Sequence, residues 1–387
     1  MNIPVSDIDL YSDDTLENTR VVYRQLRDLG AVVYLNSNDL YAITHYDAVR
    51  AALRADDVLI NGEGVAANEI INGAPKDTTI TSDGETHNHR RSILRRPLLP
   101  RSLESLRNRV GDSADALVSD LLRRDGFCGV ADFASHLPVS IVADLVGLSE
   151  QGRSNMLEWA AATFNALGPL NARCEAALPL ALQAVEYVTG LTPDGVQEGG
   201  WAHRVLMGRE DGELNQAEAS MMVLDYVAPS LDTTILATAH MLWLLGTSPD
   251  AFAALKADPT LVESVVTESV RLASPIRCFT RFAQSDFGFE GSVVPAGSRA
   301  AVLYASGSWD ERHFPNADEF QVDRNPREQL GWGHGAHTCA GMHLARLEME
   351  SLLRSMIRHV DVIEVGEPAP LMNNILQGFS ALPANLH

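Results

Sequence analysis

Apolar side chains along this chain recur mostly every three or four positions, the spacing that gives a helix one buried face. The pattern predicts helices near residues 15–29, 46–54, 102–124, 134–147, 151–166, 215–246, 248–256, 259–273 and 341–358. Runs that read as strands are short: 31–34, 40–44, 281–283, 299–303 and a stretch near the C-terminus. Proline and glycine punctuate these segments without clustering, and no repeat or long linker divides them. The expectation is a single large domain over residues 1–387, mainly α with a small β portion.

Composition adds limits to that picture. With 387 residues, 45% of them hydrophobic, the chain can bury a large core. It begins on an acidic stretch, and no run of about 18 apolar residues stands out as a bilayer span, so the expected location is cytoplasmic, with no membrane partner. A formal charge of −21 argues against nucleic acid and anionic lipid. One region runs against it: seven arginines, Arg90, Arg91, Arg95, Arg96, Arg101, Arg107 and Arg109, accompany a single acid, Glu104. The four cysteines, Cys128, Cys174, Cys278 and Cys339, are scattered and form no CxxC pair. That excludes the usual disulfide and zinc patterns and leaves a cysteine that works alone.

Cys339 stands apart because of its neighbours. The segment from Gln329 to Arg346 carries Trp332, Gly333, His334, Gly335, Ala336, His337, Thr338, Cys339, Ala340 and Gly341, then enters an amphipathic helix. Glycines allow the backbone to turn tightly and lie against a flat ligand. A sulfur just ahead of a helix N-terminus receives backbone N–H groups and the positive end of the dipole, which favour the thiolate. A lone cysteine in such a turn is more often structural than ligating. The order of aromatic, glycines, basic residue and cysteine reverses that weighting.

In that order the segment resembles the haem-binding signature of the cytochromes P450, with Trp332 where the family usually has phenylalanine. The resemblance implies the cytochrome P450 fold, a haem b (iron protoporphyrin IX) ligated by Cys339 and packed by Trp332 and Gly333, and O2 as co-substrate. It implies that His87 and Arg91, four apart on one helix face, join Arg281 and His337 at the haem propionates. It places Glu268, Arg271 and Arg324 in a structural cluster behind the cysteine loop. It also assigns Asp232 and Thr233 to oxygen activation and proton delivery, beside a kink that Pro229 and Ser230 create in the long helix.

Over nearly the whole chain, through Gly30–Tyr34, Phe164–Pro169, Asn373–Asn374 and Leu376–Gly378, the likeness is to the bacterial para-methoxybenzoate O-demethylases. This implies a planar aromatic substrate near Phe164, Val227, Ala228 and Phe279. The positions that attend the substrate carboxylate in that group match Asp225, Leu224 and Asp77 here. Open acids at Asp77 and Asp225 predict that benzoates bind poorly and that a cationic or peptidic ligand is favoured, unless both side chains merely face water. No flavin or nicotinamide fingerprint occurs, so electrons are expected from a ferredoxin and its ferredoxin reductase. The arginine island with His343, Arg354 and Arg358 offers an acidic ferredoxin a docking face. The leading reading is a monooxygenase that hydroxylates or O-dealkylates an aromatic compound. Oxidative aryl cross-linking of a peptide or natural product, and a non-catalytic haem sensor or carrier, are the alternatives.

Overall fold

The computed structural model describes residues 3–387. Most of the expected helices are present within a few residues: Tyr46–Arg54, Arg107–Leu121, Glu150–Ala166, Pro249–Ala257, Val262–Ala273 and Met342–His359. Six short strands form one sheet in the order Val5–Ser6, Val32–Leu35, Leu40–Ile43, Arg299–Val302, Phe279–Ala283, Leu59–Ile60. Phe279–Ala283 runs antiparallel to Arg299–Val302 and sets Arg281 opposite Ala300. Two apolar clusters result, a larger one among the helices and a smaller one between the sheet and its covering segments.

Three departures from the periodicity have physical causes. Ala172–Thr189 and Trp201–Glu210 are helices that the apolar spacing does not reveal. The first carries Pro179 in its interior, and its many alanines give it no distinct apolar face. The expected helix over 134–147 begins earlier and winds more loosely, with the Ser135 N–H donating five residues back to the Val130 carbonyl at 3.0 Å. By length and composition Gly129–Val146 reaches what a bilayer crossing needs, contrary to expectation, but half of it is buried inside the protein, with Phe133 and Leu137 in the main core. The long helix over 215–246 is two helices, Gln216–Val227 and Asp232–Thr247, separated by four residues. Asn215 and Glu218 start the first through a reciprocal capping box. Pro229 ends it, since it has no N–H for the Asp225 carbonyl and its ring crowds that group.

The Met342–His359 helix buries an acid. Glu348 is 1% exposed, its Oε1 has no partner, and burial pushes its carboxyl up to about 8. The folded protein therefore holds this proton between pH 4.5 and 8 while the unfolded chain releases it, so stability falls as pH rises through that window. The slope is on the order of 1.4 kcal/mol per pH unit. Glu348→Gln removes it: urea midpoints of parent and variant are expected to diverge in the variant's favour from pH 5 to 8.5, and parallel curves would refute the assignment.

Candidate active site

The cysteine loop is anchored by a buried ion cluster. Glu268 and Arg271 lie three apart on one face of Val262–Ala273, and both are fully buried. Arg271 donates from Nε and Nη2 to the two Glu268 oxygens at 2.7 and 2.8 Å, and Arg324 Nε adds a third bond at 3.0 Å. Arg271 Nη1 continues to the Ser308 carbonyl at 2.9 Å, and Ser308 Oγ accepts the Leu330 N–H at 3.1 Å. Gly333 N–H then donates to the Leu330 carbonyl at 2.8 Å and Cys339 N–H to the Trp332 carbonyl at 2.7 Å. A short chain of bonds thus carries the position of the triad to the sulfur. Gly335 is required within this loop: its φ is +74°, and a Cβ there would lie 2.2 Å from the Leu53 carbonyl oxygen.

Cys339 is accessible in the folded chain. Burial raises its thiol above the ordinary range, against the pull of the Gly341 and Met342 backbone N–H groups and the Arg91 charge. A cation at the sulfur would reverse that balance.

Basic groups gather beside it. The His87 and His337 rings lie 4.1 Å apart, on the Gly84–Leu94 helix and in the cysteine loop. His87 Nε2, His337 Nε2 and Arg281 Nη1 are all buried without a partner, while Arg281 Nη2 donates to Tyr304 Oη at 3.3 Å. Burial lowers the His337 imidazole furthest, followed by repulsion from Arg281, His87 and Arg91, and burial with Arg91 lowers His87. Buried, unpartnered nitrogens on two imidazoles and a guanidinium fit a ligand that brings carboxylates. Arg91 is also tied to the loop itself, through the Thr338 carbonyl. The Trp332 indole N–H is buried without a partner as well.

At the break between the two central helices, Asp232 opens the second. Its Oδ2 is buried and unpartnered, and burial alone pushes its carboxyl up to about 7. Thr233 Oγ1 donates to the Pro229 carbonyl at 2.9 Å, which leaves its lone pairs free to accept a hydrogen bond.

The expected substrate residues divide. Phe164 and Phe279 share one apolar cluster with Leu236, Leu376 and Tyr304, none of which the sequence assigns to the substrate. Val227 and Ala228 belong to the other, with Leu231 and Ile235. The adjacent residues Ile235 and Leu236 join the two. Asp77 and Asp225 are not open acids, which corrects the expectation. Asp77 lies 3.5 Å from Arg90, and Asp225 Oδ2 accepts the Thr79 N–H at 2.7 Å. The basic island is corrected as well, since tertiary folding brings Glu218, Glu213, Asp144 and Asp115 to it in addition to its own Glu104. Arg90 pairs with Glu218, Arg96 with Glu213, Arg107 with Glu104, Arg109 with Asp144, and Arg358 with Asp115. Arg95, Arg101 and Arg354 remain exposed with no acid in ion-pair reach among the described residues.

The comparisons agree with this construction. A family model described as Cytochrome P450 matches residues 202–386. The chain is 30% identical to cytochrome P450 CYP199A2 of Rhodopseudomonas palustris, covering 99% of this chain and 95% of that one. It is 27% identical to the 6-deoxyerythronolide B hydroxylase of Saccharopolyspora erythraea, over 98% of each. A solved structure of Mycobacterium marinum CYP268A2 in complex with pseudoionone superposes with a TM-score of 0.85 at 24% identity, over 99% of both chains. The protein belongs to the cytochrome P450 family. It is a haem b monooxygenase that uses O2.

Proposed function

We propose that Cys339 ligates the haem iron, that His87, His337 and Arg281 hold the propionates with Arg91 tying helix to loop, and that the protein oxygenates a neutral aromatic small molecule. The observation that carries this reading is the set of buried, unpartnered nitrogens on His87, His337 and Arg281 beside the loop that carries Cys339. When bound, haem supplies the redox chemistry that activates dioxygen. The chain's own residues do the rest. Phe164, Phe279, Leu236 and Leu376 provide apolar walls that exclude water from a planar ligand. Asp232, with a carboxyl near neutrality, holds and passes a proton at Oδ2, and Thr233 Oγ1 orients the acceptor of that proton.

Electrons come from a separate acidic ferredoxin, kept reduced by its reductase, that meets Arg95, Arg101 and Arg354. The enzyme is soluble and cytoplasmic in this reading. Asp77 lies beside Arg90 and Asp225 is held by the Thr79 N–H, which weakens the attraction for a cationic or peptidic ligand, and hydroxylation or O-dealkylation is favoured over aryl coupling. The test is turnover of aryl ethers and alkylarenes with a ferredoxin, its reductase and NADH. Products that gain one oxygen, or lose a methyl group as formaldehyde, support the proposal. Products that lose two hydrogens, or no turnover with any ferredoxin, would overturn it.

A further inference from the structure

Asp225 sits two residues before Val227 and three before Ala228, at the end of the Gln216–Val227 helix. Its side chain is partly accessible in the folded chain. Its Oδ2 accepts the backbone N–H of Thr79 at 2.7 Å across 146 residues of chain. The Thr79 hydroxyl lies beside the same carboxylate, and its oxygen is buried with no hydrogen-bond partner of its own. Arg90 adds a nearby positive charge, which it shares with Glu218 at 3.1 Å and Asp77 at 3.5 Å. It is 5% exposed and fixes the Thr79 segment by donating to the Lys76 and Thr78 carbonyls at 2.7 and 3.0 Å.

A backbone N–H, a hydroxyl and a guanidinium charge converging in a buried place form a site for an anion. We propose that Asp225 fills this anion subsite of the substrate cavity with the chain's own carboxylate, and so selects aromatic substrates that bear no acid group there. A substrate carboxylate would have to displace Asp225 or approach it, and two carboxylates do not share one set of donors. Uncharged rings meet no such penalty. Asp225 is therefore a specificity-determining residue. This deepens the substrate reading above and rests on it.

The subsite predicts a gain of function. Asp225→Ala leaves the Thr79 N–H unpaired, and a ligand carboxylate in the vacated place restores that bond and the original charge count. Binding of benzoate and acetophenone to the haem-loaded parent, Asp225→Ala and Asp225→Asn is measured by calorimetry and by the ferric spin shift. Benzoate affinity is expected to rise about tenfold or more in Asp225→Ala, the size of one charge-assisted hydrogen bond, while acetophenone changes by less than about twofold. Asp225→Asn, which still fills the place, is expected to gain much less. Benzoate binding to the parent as tightly as to Asp225→Ala, equal gains for both ligands, or equal gains in both variants would each overturn the subsite. Failure of the haem-thiolate reading would instead appear as a missing thiolate spectrum in the parent, and calorimetric binding still tests the subsite.

Discussion

Glu268→Ala is expected to yield almost no soluble haem-loaded protein. The substitution strips both acceptor oxygens from Arg271, which is fully buried, and one from Arg324. Removing one member of a buried ion pair costs about 3–5 kcal/mol, because the remaining charge keeps its desolvation penalty and loses its partner. Total stability of a domain is only about 5–15 kcal/mol. The damage also has a direction, since the Arg271 bond to Ser308 and the Ser308 bond to Leu330 lead into the cysteine loop. Haem content per folded chain should therefore fall more steeply than helix content by circular dichroism. A variant with normal haem loading and an unchanged unfolding midpoint would show that the triad does not support the loop.

Asp232→Asn is expected to slow product formation about a hundredfold while leaving substrate binding nearly unchanged. The amide keeps the shape but carries no transferable proton, and positioned acids and bases typically contribute about 10²–10⁴ in rate. The pH dependence gives a second readout. Burial pushes the Asp232 carboxyl up to about 7, so its proton is present below that pH and lost above it. Product formed per NADH consumed in the parent should decline as pH rises through neutrality, and that decline should be absent in Asp232→Asn. A parent and variant with the same pH profile would remove Asp232 from proton delivery.

What the sequence made legible is local. The cysteine loop could be read because its order of aromatic, glycines, basic residue and cysteine resembles the haem-binding signature of the family, and its glycines suit a turn that lies against a flat ligand. The Glu268 and Arg271 pairing follows from three-residue spacing on a helix. His87 and Arg91 were placed on one face in the same way, although Arg91 turned out to be shared with the Thr338 carbonyl. Contacts between distant segments were not legible. Asp77 and Asp225 read as open acids because Arg90 and the Thr79 N–H meet them only in the folded chain. The arginine island read as a continuous basic face because Glu213, Asp144 and Asp115 approach it from other elements. Pro229 predicted a disturbance of the central helix, but the extent of the four-residue break depends on how the two halves pack.

The central claim is that Cys339 ligates haem iron as a thiolate. Its most direct test is the absorbance spectrum of the purified protein, reduced under carbon monoxide, beside that of Cys339→Ala. A strongly red-shifted Soret band in the parent, absent from the variant, is the predicted result. An unshifted band in the parent, or the same shifted band in both proteins, would contradict it.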